Sequence, residues 1–172
     1  MKNEAEVAAL GQQAYELGVE YEKQFRGCGQ CTLAAVMDTL GMQRDELFQA
    51  ATAFAGGIGL IGDGSCGAYL GSMMLISDRV GRSRDNIADP TGIRYKTHDL
   101  AGKFHDAFVA EFGSVNCAGV QTGLMGRSYE LRIPEEREAF DAAGGHSDKC
   151  PPVVGRAAQL VVELLAREDL LP

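Results

Sequence analysis

Five cysteines are the residues of this sequence whose chemistry stands out: Cys28, Cys31, Cys66, Cys117 and Cys150. A thiolate acts as a nucleophile, as a redox group and as a ligand for iron or zinc. Structural disulfides are typical of secreted chains, which tend to be shorter and to have an even number of cysteines. Residues 1–6 lack the basic and apolar stretches of a secretory signal. We therefore expect a cytoplasmic protein whose cysteines bind metal or undergo redox chemistry.

Cys28 and Cys31 form a C-x-x-C pair. Such a pair can close a local disulfide or supply two metal ligands. The βαβ context of a thioredoxin is missing, because the neighbouring segments have helical periodicity. Thr32 stands where c-type haem attachment needs a histidine, so we expect no haem.

Four of the cysteines have a helix-start signal beside them. Glycine precedes Cys28, serine precedes Cys66, asparagine precedes Cys117, and two prolines follow Cys150. Free backbone N–H groups and the positive end of the helix dipole lie at such positions, and both stabilise a thiolate or a bound anion. We therefore expect lowered thiol pKa values there. The alternative is that these cysteines are small core residues.

A glycine-rich segment leads into Cys66, with six glycines among residues 56–67. It contains G-x-G-x-x-G, but a predicted helix precedes this motif, so a dinucleotide site is not expected. Glycine allows the backbone to approach a bound group closely. The glycines that we predict to contact such a group are Gly56, Gly57, Gly64 and Gly67.

The histidines carry a weaker signal. His98 and His105 are seven residues apart on one predicted helix face, and we expect them to be surface or partly buried residues. His146 lies close to Cys150 in sequence and is a candidate metal ligand. The sequence contains no serine–histidine–acid or paired-carboxylate arrangement, so we predict no catalytic residue.

Apolar periodicity predicts an all-α fold. The predicted helices cover residues 4–25, 32–40, 44–55, 68–80, 95–112, 117–124 and 152–165. One acidic helical turn is expected after Pro134. No segment alternates like a strand, and no repeat or linker divides the chain. We expect residues 1–172 to form one compact bundle of about six to seven helices, with the glycine-rich loop at the cysteine site.

Composition limits the partners. The 172 residues carry a net charge of −8, which argues against binding to nucleic acid or to anionic lipid. No apolar run is long enough to span a membrane, so we expect no membrane insertion. The small residues of the predicted helix at 68–80 would suit close packing against a second copy, so a homodimer is plausible.

Residues 66–71, Cys-Gly-Ala-Tyr-Leu-Gly, resemble the central signature of the C_GCAxxG_C_C family of redox-active proteins. Cys28 matches the upstream cysteine of the family, and Cys117 and Cys150 match the two downstream cysteines. The resemblance extends over about residues 15–165. The family is similar to the non-haem part of split-Soret cytochromes, and this similarity implies an iron–sulfur cluster without haem. Cys31 is additional to the family pattern and could replace or supplement Cys28.

Three functions follow as hypotheses. The first is an iron–sulfur protein, with a two-iron or four-iron cluster, that exchanges electrons with a redox partner protein as an electron-transfer or oxidoreductase component. The second is a metal-free dithiol–disulfide relay. The third is a helical interaction module, zinc-stabilised by four thiolates or without metal.

Overall fold

The structure, a computed structural model, describes residues 2–172 and is all-α, as predicted. Eight α-helices follow one another: α1 Glu4–Phe25, α2 Cys28–Leu40, α3 Asp45–Ala50, α4 Gly67–Val80, α5 Ile93–Phe112, α6 Cys117–Met125, α7 Pro134–Ala142 and α8 Cys150–Arg167. A short 3₁₀ turn, Arg84–Asn86, precedes α5, and one π-helical turn, Gly145–Lys149, leads into α8. Within residues 2–172 the β-structure is limited to one isolated bridge, between Ser65 and Asn116.

The largest differences between predicted and observed helix ends are at three places. α2 begins at Cys28 rather than at residue 32, because Gly27 takes a left-handed conformation and caps the helix. α3 ends at Ala50 rather than at residue 55, since the backbone tightens there into bonds such as Ala51 N to Phe48 O (3.2 Å). The acidic turn predicted after residue 134 is the helix α7, which has 9 residues.

The first and last helices pack directly against each other through glycine. A Cβ atom on Gly18 would lie 2.8 Å from the Cα atom of Gly155. The two backbones are therefore in direct contact, and there is no room for a side chain at Gly18. The buried face of α1 therefore runs through Val7, Ala14 and Gly18. Phe25, the last residue of α1, lies off this face and is 64% exposed.

The main core lies between α1, α2, α4, α5 and α8. Aromatic rings of α5 stack along it, with Phe108 4.7 Å from Phe112 and 5.4 Å from Tyr69, measured between ring centroids. A smaller apolar cluster of Tyr129, Leu131 and Phe140 packs beside Cys150. Within residues 2–172, no helix combines the length and hydropathy needed to cross a bilayer.

Candidate functional site

The amino ends of four helices meet around one cavity of about 200 Å³. Cys28, Cys117 and Cys150 are the first residues of α2, α6 and α8, and Cys66 directly precedes α4. The prediction that four cysteines stand at helix starts is confirmed, and all four line this cavity. The remaining wall is largely apolar and consists mainly of Ala55, Leu60, Val120, Leu131, Phe140, Val153 and Val154.

Backbone hydrogen bonds fix two of the cysteines beside each other. The amide of Cys66 donates to the carbonyl of Val115 (2.7 Å), and the amide of Cys117 donates to the carbonyl of Gly64 (2.9 Å). These reciprocal bonds join the glycine-rich loop to the segment before α6. The starts of α4 and α6 therefore share one rigid connection at the cavity.

Cys28 reaches the same place by close packing of α2 against α4. Its thiol lies beside the thiol of Cys66 and donates to the carbonyl of Phe54 (3.8 Å). A Cβ atom on Gly67 would lie 2.3 Å from the Cys28 sulfur and 2.1 Å from the carbonyl oxygen of Phe54. Glycine is therefore required directly after Cys66, because any side chain would displace the Cys28 thiol.

The predicted cofactor-contacting glycines occupy different positions. Gly56 lines the cavity, and Gly57 lies behind Cys117, where a Cβ atom would be 2.9 Å from the Cβ of that cysteine. The amide of Gly64 donates to the carbonyl of Gly57 (3.2 Å) within the loop. A contact between these glycines and a cofactor stays a prediction, and Gly56 is the one that faces the cavity.

The loop is strained beyond its glycines. Ile58 and Leu60 have positive φ angles of 66° and 64°, in the left-handed region that costs side-chain-bearing residues roughly 1–2 kcal/mol each. Strain of this kind is typical of functional sites, where the surrounding structure holds it in place. Leu60 contributes its side chain to the cavity wall.

Cys31 is separated from the other four cysteines. It is buried behind the cavity wall and donates to the carbonyl of Arg26 (3.1 Å) rather than lining the cavity. Its thiol also lies close to the carboxyl group of Glu22. The structure thus distinguishes the cysteine of the family pattern, Cys28, from the additional one.

Glu22 is a cavity residue that the sequence analysis missed. It is 2% exposed, lines the cavity, and its Oε2 atom has no hydrogen-bond partner. Burial raises the pKa of Glu22 to about 7, although the Cys31 thiol and the charge of Arg26 oppose the shift. The spacing of Val7, Ala14 and Gly18 places Glu22 on the same buried helix face, and this was the available signal.

The thiol pKa values contradict the sequence-based expectation. Hydrogen bonding with Cys66 and burial raise the pKa of Cys28 well above its usual value. Burial raises the pKa of Cys117 to about 11 and that of Cys150 well above the usual range. The predicted lowering was wrong for these three cysteines, because desolvation and neighbouring thiols outweigh the helix ends. Such thiols ionise readily only when a cation enters the cavity.

Gln121 is a second polar group that the sequence did not reveal. Its Nε2 atom donates to the sulfur of Cys117 (3.4 Å), and its Oε1 atom accepts from the amide of Tyr129 (2.8 Å). The Tyr129 amide fixes the orientation of the side chain. Gln121 therefore presents a fixed N–H donor to the Cys117 sulfur. This hydrogen bond partly offsets the rise in the pKa of Cys117 that burial causes.

Only one histidine reaches the cavity wall among the described residues. His146 lines it, and its Nδ1 atom lies 2.6 Å from Oδ1 of Asp141. The ring of His105 instead contacts the hydroxyl group of Tyr69 (3.1 Å), and His98 lies edge-on to Tyr95. The assignment of His146 as a metal ligand stays a prediction.

The four cavity thiols surround a space of about 200 Å³ rather than a single point. In residues 2–172, no three His, Cys, Asp or Glu side chains are gathered closely enough to hold one metal ion. A tetrahedral zinc ion with Zn–S bonds of about 2.3 Å would require four sulfurs roughly 3.8 Å apart.

These features define an all-α protein whose helix amino ends enclose a thiol-lined cavity. The chain matches the model of the C_GCAxxG_C_C family, described as a putative redox-active protein, over residues 27–164. It therefore belongs to this family, and the resemblance carried by residues 66–71 is confirmed. No curated protein and no solved structure gives a significant match.

Proposed function

We propose that this redox-active protein binds an iron–sulfur cluster in its thiol-lined cavity and transfers electrons. The observation that carries the proposal is the convergence of Cys28, Cys66, Cys117 and Cys150, from four separate helix starts, on one cavity. Cysteine thiolates are the usual ligands of two-iron and four-iron clusters. A cluster bound there would accept and release single electrons without making or breaking covalent bonds in the protein.

The surrounding residues have roles that suit such a centre. The apolar wall, which includes Leu60, Val153 and Val154, keeps water from the sulfurs. The four helix starts place the positive ends of their dipoles beside the negative charge of the thiolates. Gln121 adds a side-chain donor to the Cys117 sulfur. Hydrogen bonds to sulfur stabilise the reduced, more negative state and so raise the reduction potential.

The cavity also offers a route for electrons. Cys28 and Cys150 are only partly buried, whereas Cys66 and Cys117 are buried. The side of the cavity formed by Cys28 and Cys150 is therefore the nearer one to solvent. We propose that a redox partner protein docks on that side.

Cysteine-to-serine variants test the proposal. After anaerobic purification or reconstitution, the wild-type protein should be brown and contain iron and acid-labile sulfide. Cys28→Ser, Cys66→Ser, Cys117→Ser and Cys150→Ser should each lose most of the iron. Cys31→Ser is the matched control, because its thiol does not line the cavity, and it should keep the wild-type content. A colourless wild-type protein under these conditions would contradict the proposal.

The second candidate is a metal-free relay, and one observation favours it. The thiols of Cys28 and Cys66 lie beside each other, so they are the pair best placed to form a disulfide. Oxidation of this pair would release two electrons and two protons to a disulfide acceptor. Thiol titration of the metal-free protein should then show five free thiols when reduced and three after mild oxidation. Five in both states would exclude the relay.

A further inference from the structure

One buried oxygen atom in the cavity has no partner. Glu22 Oε2 is the single buried side-chain N or O atom in residues 2–172 without a hydrogen bond. The side chain is almost fully buried, yet it lines the cavity that holds the four thiols. An unsatisfied carboxyl oxygen is costly in such surroundings, so it points to a partner that binds from the cavity.

The neighbouring protein groups do not supply that partner. The Cys31 thiol lies close to the Glu22 carboxyl group but donates to the carbonyl of Arg26 (3.1 Å). The Arg26 amide donates to the backbone carbonyl of Glu22 (3.2 Å). The Arg26 guanidinium group, which could have paired with the carboxylate, instead lies 3.5 Å from Oδ2 of Asp141. Oε2 therefore has no hydrogen-bond partner in a residue that lines the cavity.

We infer that Glu22 is an oxygen ligand of iron in this cavity, in addition to the four cysteine thiolates. The inference depends on the proposed function, because it assigns a further ligand to the same centre. The sequence placed the fifth donor at Cys31, whereas the structure turns Cys31 away and places a carboxylate at the cavity. Carboxylate oxygen is a harder donor than thiolate and binds iron in many proteins.

The ligand gives one iron atom a distinct character. Oxygen favours the ferric state more than sulfur does, and the carboxylate adds one negative charge to the centre. Both effects lower the reduction potential. Glu22→Gln removes both effects while keeping the shape of the side chain. Glu22→Asp keeps an oxygen donor and the charge, so it is the conservative variant.

The test is Mössbauer spectroscopy of protein reconstituted with ⁵⁷Fe, combined with a redox titration. Glu20→Gln is the matched control, since Glu20 is an exposed residue on the same helix. Iron and sulfide content, circular dichroism and melting temperature are measured first for every variant. We expect a distinct iron subsite in the wild type, Glu20→Gln and Glu22→Asp. In Glu22→Gln this subsite should disappear and the potential should rise.

Each outcome bears on one claim. An unchanged subsite in folded, iron-loaded Glu22→Gln overturns the inference while leaving the proposed function intact, even if the potential moves through charge alone. Loss of the subsite in both Glu22→Gln and Glu20→Gln also overturns it. A wild-type protein without iron and sulfide overturns the proposed function, and the inference with it.

Discussion

The same three helices build two very different regions of this molecule. α2, α4 and α8 fill the main core with buried residues such as Leu33, Leu75 and Val161. At their amino ends the same helices carry Cys28, Cys66 and Cys150 around a cavity of about 200 Å³. One region buries these side chains completely, and the other encloses a cavity although most of its wall is apolar.

The difference shows where stability and function reside along each helix. A cavity destabilises a fold in proportion to its volume, so a thiol-lined cavity is a poor way to build a core. Strained Ile58 and Leu60 and the unpaired Oε2 atom of Glu22 lie at the same end of the bundle. The proposed cluster would account for these costs, and the packed core offsets them.

The largest effect is expected from a truncation in the core. Phe108 is fully buried and contacts three other rings, those of Tyr69, Phe104 and Phe112. Phe108→Ala should lower the free energy of unfolding by about 3–5 kcal/mol, measured by urea denaturation. The iron content per folded chain should stay near that of the wild type. A loss below 1 kcal/mol would mean that the core does not carry the stability.

A smaller effect is expected from pH through Glu22. Its pKa is raised from 4.5 to about 7, so the folded state binds a proton more tightly than the unfolded state. This contribution to stability is complete below pH 4.5 and is lost as the pH rises through 7, a change of about 3 kcal/mol.

Urea unfolding of reduced, metal-free protein at pH 5 and pH 8 measures this contribution. Glu22→Gln, which does not titrate, should lack it, so the wild type should lose about 2–3 kcal/mol relative to the variant between the two pH values. Parallel stabilities of the two proteins would show that the carboxyl group is not buried as described.

The smallest effects come from a pair of glycine substitutions that compare the two regions directly. Gly67→Ala would place a methyl group against the Cys28 sulfur and the Phe54 carbonyl, so we expect a loss of about 1–3 kcal/mol and less bound iron. Gly102 lies within α5 with open space around its Cα atom. Gly102→Ala should stabilise by about 0.5–1 kcal/mol with unchanged iron. The same change in stability and in bound iron in both variants would contradict the distinction between the cavity and the packed helices.

The fold and the four helix-start cysteines were predictable because both depend on local signals. Helical periodicity and cap residues act within one or two turns, so they placed α1, α4 and α6 and the cysteines at helix starts. The family pattern added the grouping of Cys28 with Cys66, Cys117 and Cys150. The sequence also predicted close approach of the backbone in the glycine-rich loop, because the spacing of the glycines can be read directly from it.

Features that depend on long-range packing were not predictable. Cys28 and Cys31 look equivalent in a C-x-x-C pair, and only the packing of α2 against α1 turns Cys31 toward Arg26 and Glu22. The thiol pKa values were misjudged for the same reason, because burial among other thiols cannot be read from one helix end. The role of Gln121 was not predictable either, because it depends on the loop that brings the Tyr129 amide to this side chain.

Reversible reduction in a sealed anaerobic cuvette is the most direct test of a redox-active cluster in the cysteine cavity. Dithionite should bleach the visible absorption of wild-type protein and of Cys31→Ser, and reoxidation should restore it, with a matching electron paramagnetic resonance signal in one of the two states. Cys66→Ser should show neither the absorption nor the signal. A wild-type protein with no visible absorption and no reduction-dependent signal would contradict the account.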